Sequence, residues 1–408
     1  MKILNYAKTL AFGLALTAVF PLNAQEYLPQ WKEGYLDLHT IATGRGDAML
    51  YVMPDGTTML CDAGDIGSQW HVPQMPDTLR TVGEWIVQYI RDFSKGLPHP
   101  DKVDYFYNTH LHSDHLGRVG NSIEGTHGFR LCGVTHVGDI LQFGKIVDRD
   151  YPDYNFPSRE KVRKELGFFD EYVKMIEWQK KTYGTKAEKF IIGSDKQFVM
   201  LNNPEPYKKI FKIQNIAANA RCWTGKGLKS VEMYRSDPAT FDENMNSCVI
   251  TIQYGKFKYY NGGDLCGAKT VFKTPFRDFE SQVAPLVGKV NVMKPDHHGW
   301  RDSSNPVFLS ILKPEVIIVP SAAKDHPHKH TMQRFVDPLL NEETPRTYYI
   351  TSEGPKQELG EKLWSYFKPY GHIVTRVYEG GTKYQMFVLD PWTRDYRIKY
   401  KSDIVEIK

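Results

Sequence analysis

Apolar residues along the chain alternate between two spacings, and the changes of spacing predict where strands and helices lie. Tyr35 to Ile41 alternates apolar and polar positions, and Met49 to Met53 is apolar. Thr58 to Cys61 resumes after the turn Pro54-Asp55-Gly56, so residues 35–62 read as strands about a turn. From Thr81 to Phe93 the positions Val82, Trp85, Ile86, Tyr89 and Ile90 recur at helical spacing. Val103–Tyr107 is a short buried strand. Arg159–Tyr183 sets Lys, Arg and Glu around Val162, Leu166, Phe169, Val173 and Ile176, which predicts an exposed amphipathic helix. The surrounding stretch, 144–210, differs in texture and reads as a helical insertion. From Cys248 onward, Val249–Tyr254 and Phe257–Tyr260 predict a hairpin about Gly255-Lys256. Val290–Met293 and Val316–Val319 predict further strands with a helical turn, Phe308–Leu312, between them. Ile373–Val377 and Tyr384–Leu389 form a last hairpin about Glu379-Gly380-Gly381. Strands and helices alternate in both halves without repeats, so the expected class is an α/β sandwich.

The N-terminus changes the picture. Lys2 and Lys8 precede the apolar run Leu10–Phe20, and Pro21-Leu22-Asn23-Ala24 follows, the layout of a secretory signal. The expectation is a signal peptide at 1–24 and one domain at 25–408. The apolar run is shorter than the roughly 20 residues that span a bilayer. The mature chain is therefore expected to be secreted or periplasmic, with no stable membrane insertion after cleavage. Composition adds little: 41% hydrophobic and 25% charged residues mark a globular protein. A net charge of +4 is too small to imply nucleic-acid binding by itself. The five cysteines, Cys61, Cys132, Cys222, Cys248 and Cys266, contain no CxxC pair. That spacing supports neither a zinc ribbon nor a redox motif, and predicts small buried hydrophobes.

Candidate chemistry is concentrated after the strand Val103–Tyr107, where His110, His112, Asp114 and His115 fall within six positions. Histidines two apart on an extended chain point to the same side. His110 and His112 can then meet one metal ion while Asp114 and His115, past the turn, reach a second. Imidazole and carboxylate are favoured ligands of zinc and neighbouring divalent metals.

The spacing His-x-His-x-Asp-His resembles the signature of the metallo-β-lactamase superfamily, whose fold is a four-layer αββα sandwich. Gly44-Arg45-Gly46-Asp47-Ala48, followed by Leu60-Cys61-Asp62-Ala63-Gly64, is similar to the opening strands of the extracellular hydrolase domain of competence DNA-uptake proteins. Asn261-Gly262-Gly263-Asp264-Leu265 resembles that group's strand end, where an aspartate bridges two metals. Lys294-Pro295-Asp296-His297-His298-Gly299 resembles its His-His-Gly motif. Secreted phosphorylcholine esterases are similar over the same segments, and the likeness runs over residues 35–390.

The resemblance implies a ligand set of His110, His112, Asp114, His115 and Asp264, completed by one of His297 and His298. The other of that pair would face the substrate or the ligands' surroundings, because adjacent side chains on an extended segment point apart. Asp114, His297, His298 and His326 are the expected catalytic residues. His326 and His328, in Asp325-His326-Pro327-His328, resemble a late motif of the same group, and His326 reads either as a proton donor to the leaving group or as a loop histidine. Asp47 and Asp62 are expected to orient ligands through hydrogen bonds. His39, His71, His99, His127, His136 and His372 are assigned structural places. One departure stands out. Many superfamily members carry a histidine before the bridging aspartate, whereas Glu243-Asn244-Met245-Asn246-Ser247-Cys248 has none, leaving Asn246 as a weak oxygen ligand.

The implied cofactor is a pair of divalent metal ions, zinc first and manganese as an oxygen-tolerant alternative. Two such ions about 3.5–4 Å apart hold a bridging hydroxide and clamp attacking and leaving oxygens, which suits phosphodiester displacement. The expected function is a secreted metal-dependent phosphodiesterase. Its substrate would be a small-molecule or polymer phosphodiester, nucleic acid included, and the 144–210 insertion would lie over its active face. Two alternatives stay open: hydrolysis of an amide, lactone or thioester, and a metal-stabilised envelope binding protein without activity.

Overall fold

Strands that bury both faces need apolar residues at successive positions, and the first strands of this chain have them. The computed structural model describes residues 26–408 except 71, 234–241, 269–276 and 342–344; the expected signal peptide lies outside the described residues. The first half supplies β1 (Leu36–Thr40), β2 (Ala48–Val52), β3 (Thr58–Ala63), α1 (Val82–Phe93), β4 (Lys102–Tyr107), α2 (Ser113–Leu116), α3 (Val134–Ile140) and β5 (Gln142–Asp148). It continues with α4 (Arg159–Glu165), α5 (Phe169–Tyr183), β6 (Lys186–Lys189), β7 (Phe211–Ala218), β8 (Arg221–Trp223) and β9 (Ser230–Glu232). The second half supplies β10 (Val249–Tyr254), β11 (Phe257–Asn261), β12 (Gly267–Ala268), β13 (Arg277–Asp278), α6 (Glu280–Val287), β14 (Val292–Met293), α7 (Pro306–Leu312) and β15 (Val316–Val319). It ends with α8 (Lys329–Phe335), α9 (Pro338–Asn341), β16 (Thr347–Ile350), α10 (Lys356–Trp364), β17 (His372–Val377), β18 (Lys383–Leu389), β19 (Ile398–Lys401) and β20 (Val405–Glu406).

Apart from β12 and β13, which pair only with each other, these strands form two mixed sheets, with β20 pairing β18 at the edge of the first. One runs β19-β18-β17-β1-β2-β3-β4-β5-β6, the other β16-β15-β14-β11-β10-β7-β8-β9. In the first, β3 to β6 are parallel and the remainder antiparallel; in the second, β11, β14, β15 and β16 are parallel. Alternation along each strand sorts side chains between layers. Met49, Tyr51, Met59, Cys61, Tyr105 and Tyr107 of the first sheet face Ile250, Ile252, Tyr259, Val292 and Ile318 of the second. Leu50, Leu60, Phe106 and Ile146 point the other way, onto Ile86, Ile90, Val137, Met175 and Ile176 of α1, α3 and α5. On the far side, Val249, Tyr260, Met293 and Ile317 meet Val283, Phe308, Leu312 and Met332 of α6, α7 and α8. The result is a four-layer αββα sandwich. No helix among the described residues is long and apolar enough to cross a membrane.

The expected hairpins and the helix from Thr81 fall where the pattern puts them. Thr81 caps α1, its hydroxyl accepting from the Glu84 amide while the Glu84 carboxylate accepts from the Thr81 amide. Thr81 Oγ1 also lies 2.8 Å from His136 Nδ1. Thr81→Ala is expected to lower stability by about 1 kcal/mol, read from the heat-denaturation midpoint. All five cysteines are buried and free, as the spacing implied.

The helices of 144–210 differ from the expected single helix over the active face. Arg159–Tyr183 is not one helix; it breaks between α4 and α5 at Leu166-Gly167-Phe168, where glycine is a poor helix residue. Nor does α5 lie over an active face. It is the crossover between the parallel strands β5 and β6, and it buries Phe169, Tyr172, Met175 and Ile176 in the outer core. The charged residues occupy only its solvent side, so removing Arg159–Tyr183 would remove part of the outer helical layer and uncover β5.

Candidate metal centre

The motif residues stand where the carboxyl ends of strands from both sheets meet, the usual position of a ligand site in α/β sheets. β3 carries Asp62 at its penultimate position, and β4 delivers His110 and His112 before α2 carries Asp114 and His115. From the second sheet, Asp264 follows β11 and His298 follows β14. Close approach of the loops needs glycine, within the first sheet at Gly64 and between the two sheets at Gly263. A Cβ on Gly64 would lie 1.8 Å from the Asp114 carbonyl oxygen, and one on Gly263, at φ +60°, 2.9 Å from Thr109.

Ligand atoms of Asp114, His115, Asp264 and His298 all lie within 4.8 Å of one another. Asp264 Oδ2 is at the convergence point, 3.2 Å from His298 Nε2, 3.3 Å from His115 Nε2 and 3.9 Å from His110 Nε2. Asp114 Oδ2 lies 3.2 Å from His298 Nε2 and 3.9 Å from His115 Nε2. His110 Nε2 and His112 Nδ1 are 3.2 Å apart, so these two face one point beside that group.

Carboxylates behind the imidazoles fix their orientation. Asp62 accepts from Asn108 Nδ2, the Thr109 amide and hydroxyl, and His115 Nδ1 at 2.7–2.9 Å. With Nδ1 protonated, His115 turns its Nε2 lone pair toward Asp264. Asp47 acts likewise on His298, its Oδ1 lying 3.1 Å from Nδ1. The grouping of Asp47, Asp62 and His115 is thus the support of the first cluster rather than a separate site.

His297 is elsewhere. Its Nδ1 donates to Asp302 Oδ1 at 2.8 Å and its Nε2 lies 3.3 Å from Asn244 Nδ2. The two histidines separate for a reason the extended-chain argument does not contain: both are left-handed, at φ 48° and 51°, inside a tight turn. Such backbone is costly for residues with a Cβ and persists where surroundings enforce it. His326 stacks on His298 with ring centroids 4.8 Å apart, whereas His328 caps α8. His136 belongs to the α1 cap, and His39 and His372 pack around Tyr89. His71 lies outside the described residues.

The electrostatics ask for positive charge. Burial by itself would lower the pKa of His115, but Asp264, Asp114 and Asp62 outweigh it and hold it well above the ordinary value. His298 is raised in the same way by Asp264 and Asp47. Burial would raise Asp114 and Asp264, yet the facing imidazoles hold both well below the usual carboxylate range. His115 Nε2 is buried without a partner in hydrogen-bonding geometry. A cluster of imidazole nitrogens and carboxylate oxygens with an orphaned buried nitrogen fits divalent metal ions.

The chain has the metallo-β-lactamase fold. The four layers and the ligand cluster where the two sheets' strands end are its features. No family model matches the chain. Recombination protein 2 of Haemophilus influenzae is 30% identical over 117 residues, which is 28% of this chain and 14% of that protein. CmlA, a diiron β-hydroxylase from Streptomyces venezuelae, is similar at 13% identity and a TM-score of 0.34, over 74% of this chain and 47% of CmlA. A diphosphatase from the PhnP family is similar at 10% identity and a TM-score of 0.34, over 78% of this chain and 94% of that one. The chain thus spans less than two thirds of Recombination protein 2 and of CmlA, and these likenesses do not extend to substrate or reaction.

Around the ligand cluster stand further residues, of which the sequence singles out only Asn246. Glu243 Oε1 accepts from the Leu111 amide at 3.0 Å and from Arg149 Nε, tying down the backbone between His110 and His112. Ser247 Oγ accepts from the Asp264 amide at 3.0 Å. Asn244 Oδ1 and Asn246 Oδ1, on the turn that replaces the missing histidine, are buried without hydrogen-bond partners. Beside His112 opens a cleft of about 420 Å³ lined by Ser113, Arg118 and the α4–α5 turn at 165–168. That turn is the part of 144–210 that borders the cluster's own loop.

Proposed function

We propose that this chain is an exported metal-dependent phosphodiesterase. The observation that carries the reading is the position of Asp264 Oδ2, within 3.9 Å of three imidazole nitrogens contributed by His110, His115 and His298. A carboxylate oxygen shared among imidazoles from two sides is the arrangement a two-ion centre requires. In this reading His110 and His112 would hold one ion, Asp114, His115 and His298 the other, and Asp264 would be shared, with zinc or manganese as the ions. Bound there, such ions activate water at neutral pH and neutralise charge on phosphoryl oxygens.

The remaining work falls to the chain itself. Asp62 and Asp47 hold the imidazoles in one tautomer, which keeps Nε2 unprotonated toward the centre. His326, stacked on His298, would give a proton to a departing alkoxide once an anionic substrate raises its pKa from about 3, where burial and the neighbouring His298 and His297 hold it. The cleft beside His112 receives the rest of the diester, and its Arg118 suits an anionic substrate such as a small phosphodiester or a nucleic-acid strand. Export rests on the Lys2–Ala24 layout.

The test is hydrolysis of bis-p-nitrophenyl phosphate by the metal-free chain, then with zinc or manganese restored. Turnover that returns with metal is the expected result. Stoichiometric metal binding without turnover by either ion would reject the phosphodiesterase reading in favour of acyl or lactone hydrolysis, or of a binding protein.

A further inference from the structure

Lys294 is a buried ammonium in a neighbourhood of carboxylates, and motif reading gives it no task. Its side chain is 1% exposed, as are those of Asp47 and Asp264. Nζ donates to the Gly263 carbonyl at 2.7 Å and lies 3.4 Å from Asp264 Oδ1, 3.3 Å from Asp47 Oδ2 and 3.4 Å from the Pro295 carbonyl. An ammonium has three protons, and the Gly263, Asp264 and Pro295 oxygens take them, whereas Asp47 Oδ2 is drawn by charge alone and has no hydrogen-bond partner. A lysine is rarely this buried without a specific partner, and here it has two.

The two partners are the carboxylates that matter most to the cluster. Asp264 turns Oδ1 to Lys294 and Oδ2 to the imidazoles. Asp47 turns Oδ2 to Lys294 and Oδ1 to His298 Nδ1. One ammonium therefore fixes the rotation of the Asp264 carboxylate by a hydrogen bond and draws Asp47 Oδ2 toward itself by charge. It also sets the local charge. Asp47, Asp62, Asp114 and Asp264 are four buried or half-buried acids around one centre, and Lys294 is the permanent cation among them.

We propose that Lys294 is a positioning residue of the metal centre, holding Asp264 so that only Oδ2 faces the ions and offsetting enough carboxylate charge to keep those ions electrophilic. The inference rests on the two-ion reading above. Its physical content is a trade. A cation behind Asp264 repels divalent ions and so weakens their binding, while leaving them more of their own charge to polarise a phosphoryl oxygen. Without Lys294, Asp264 Oδ1 is released, can turn toward the ions, and binding tightens as the centre becomes less acidic.

The test uses the full chain loaded with cobalt(II), whose visible spectrum reports ligand number and geometry, with affinity measured by competition against a chelator. Lys294→Met is expected to bind cobalt about tenfold more tightly, to alter the visible band and to hydrolyse bis-p-nitrophenyl phosphate more slowly. Lys294→Arg, which keeps the charge, is expected to keep the wild-type affinity. Tighter metal with slower turnover separates this role from packing, because losing a packing lysine would weaken binding or leave it unchanged. Weaker or unchanged affinity in Lys294→Met would overturn the proposal while the two-ion reading stands. A wild-type chain that takes up no cobalt would remove both. Should Lys294→Met not fold, Lys294→Gln removes the charge and keeps an amide donor for the Gly263 carbonyl. It carries the same readouts and the same expected direction.

Discussion

Asp264→Ala is expected to reduce metal-dependent hydrolysis of bis-p-nitrophenyl phosphate by at least about 10³-fold, roughly 4 kcal/mol in the barrier. Bound metal is expected to fall from two equivalents to one or fewer. The size of the effect follows from geometry. Oδ2 of this carboxylate is the atom that His115 and His298 approach to 3.2–3.3 Å, and His110 to 3.9 Å. Removing it takes the shared oxygen from both proposed ion positions, whereas Asp114→Ala removes a ligand from one. Asp264→Asn provides the control. It keeps the shape and the amide held by Ser247 but loses the charge, so it separates bridging from packing. Metal content by elemental analysis and turnover are read on the same sample. An Asp264→Ala chain that keeps two equivalents and full turnover would show that the reacting centre is elsewhere.

How much of this was legible in the sequence depends on how far apart the cooperating residues are. His110, His112, Asp114 and His115 are neighbours on one loop, so their spacing alone announces a ligand set. The strands around them are equally plain, because alternation and turn residues are local signals: the hairpin about Gly255 and the strand feeding His110 sit where the pattern puts them. Two kinds of feature escaped. One is backbone conformation that residue type does not announce. His297 and His298 are both left-handed, so reasoning from an extended chain separates them for the wrong cause. The other is partnership across long separations. Nothing in Lys294 or Asp47 alone says that they meet, 247 positions being closed only by the packing of one sheet's loops on the other's. The helix α5 misled differently. Its many lysines and glutamates suggested a solvated cover, but a crossover helix on an outer layer needs only one apolar stripe, and Phe169, Tyr172, Met175 and Ile176 supply it.

Support for the ligand loop from outside the motifs makes the second large prediction. Glu243→Gln is expected to destabilise the chain by about 3–5 kcal/mol, because it leaves the Arg149 guanidinium buried beside a neutral amide. Arg149 and Glu243 are 0% and 1% exposed, and they meet in a two-pronged pair, Nε to Oε1 at 2.6 Å and Nη2 to Oε2 at 2.9 Å. The pair joins β5's end to the turn at 243–246, and through the Leu111 amide it also holds the backbone between His110 and His112. Urea denaturation gives the loss of stability, and chelator competition on the same variant should show weaker metal binding. The double variant Arg149→Met with Glu243→Leu separates the two contributions. Replacing both charges with apolar groups removes the stranded cation and should recover much of the stability. It does not restore an acceptor for the Leu111 amide, so metal affinity should stay low. Stability that returns while affinity does not would show that Glu243 serves the centre through the loop it anchors. Glu243→Gln within about 1 kcal/mol of the parent would mean that water reaches Arg149 and that the loop is held by its own hydrogen bonds.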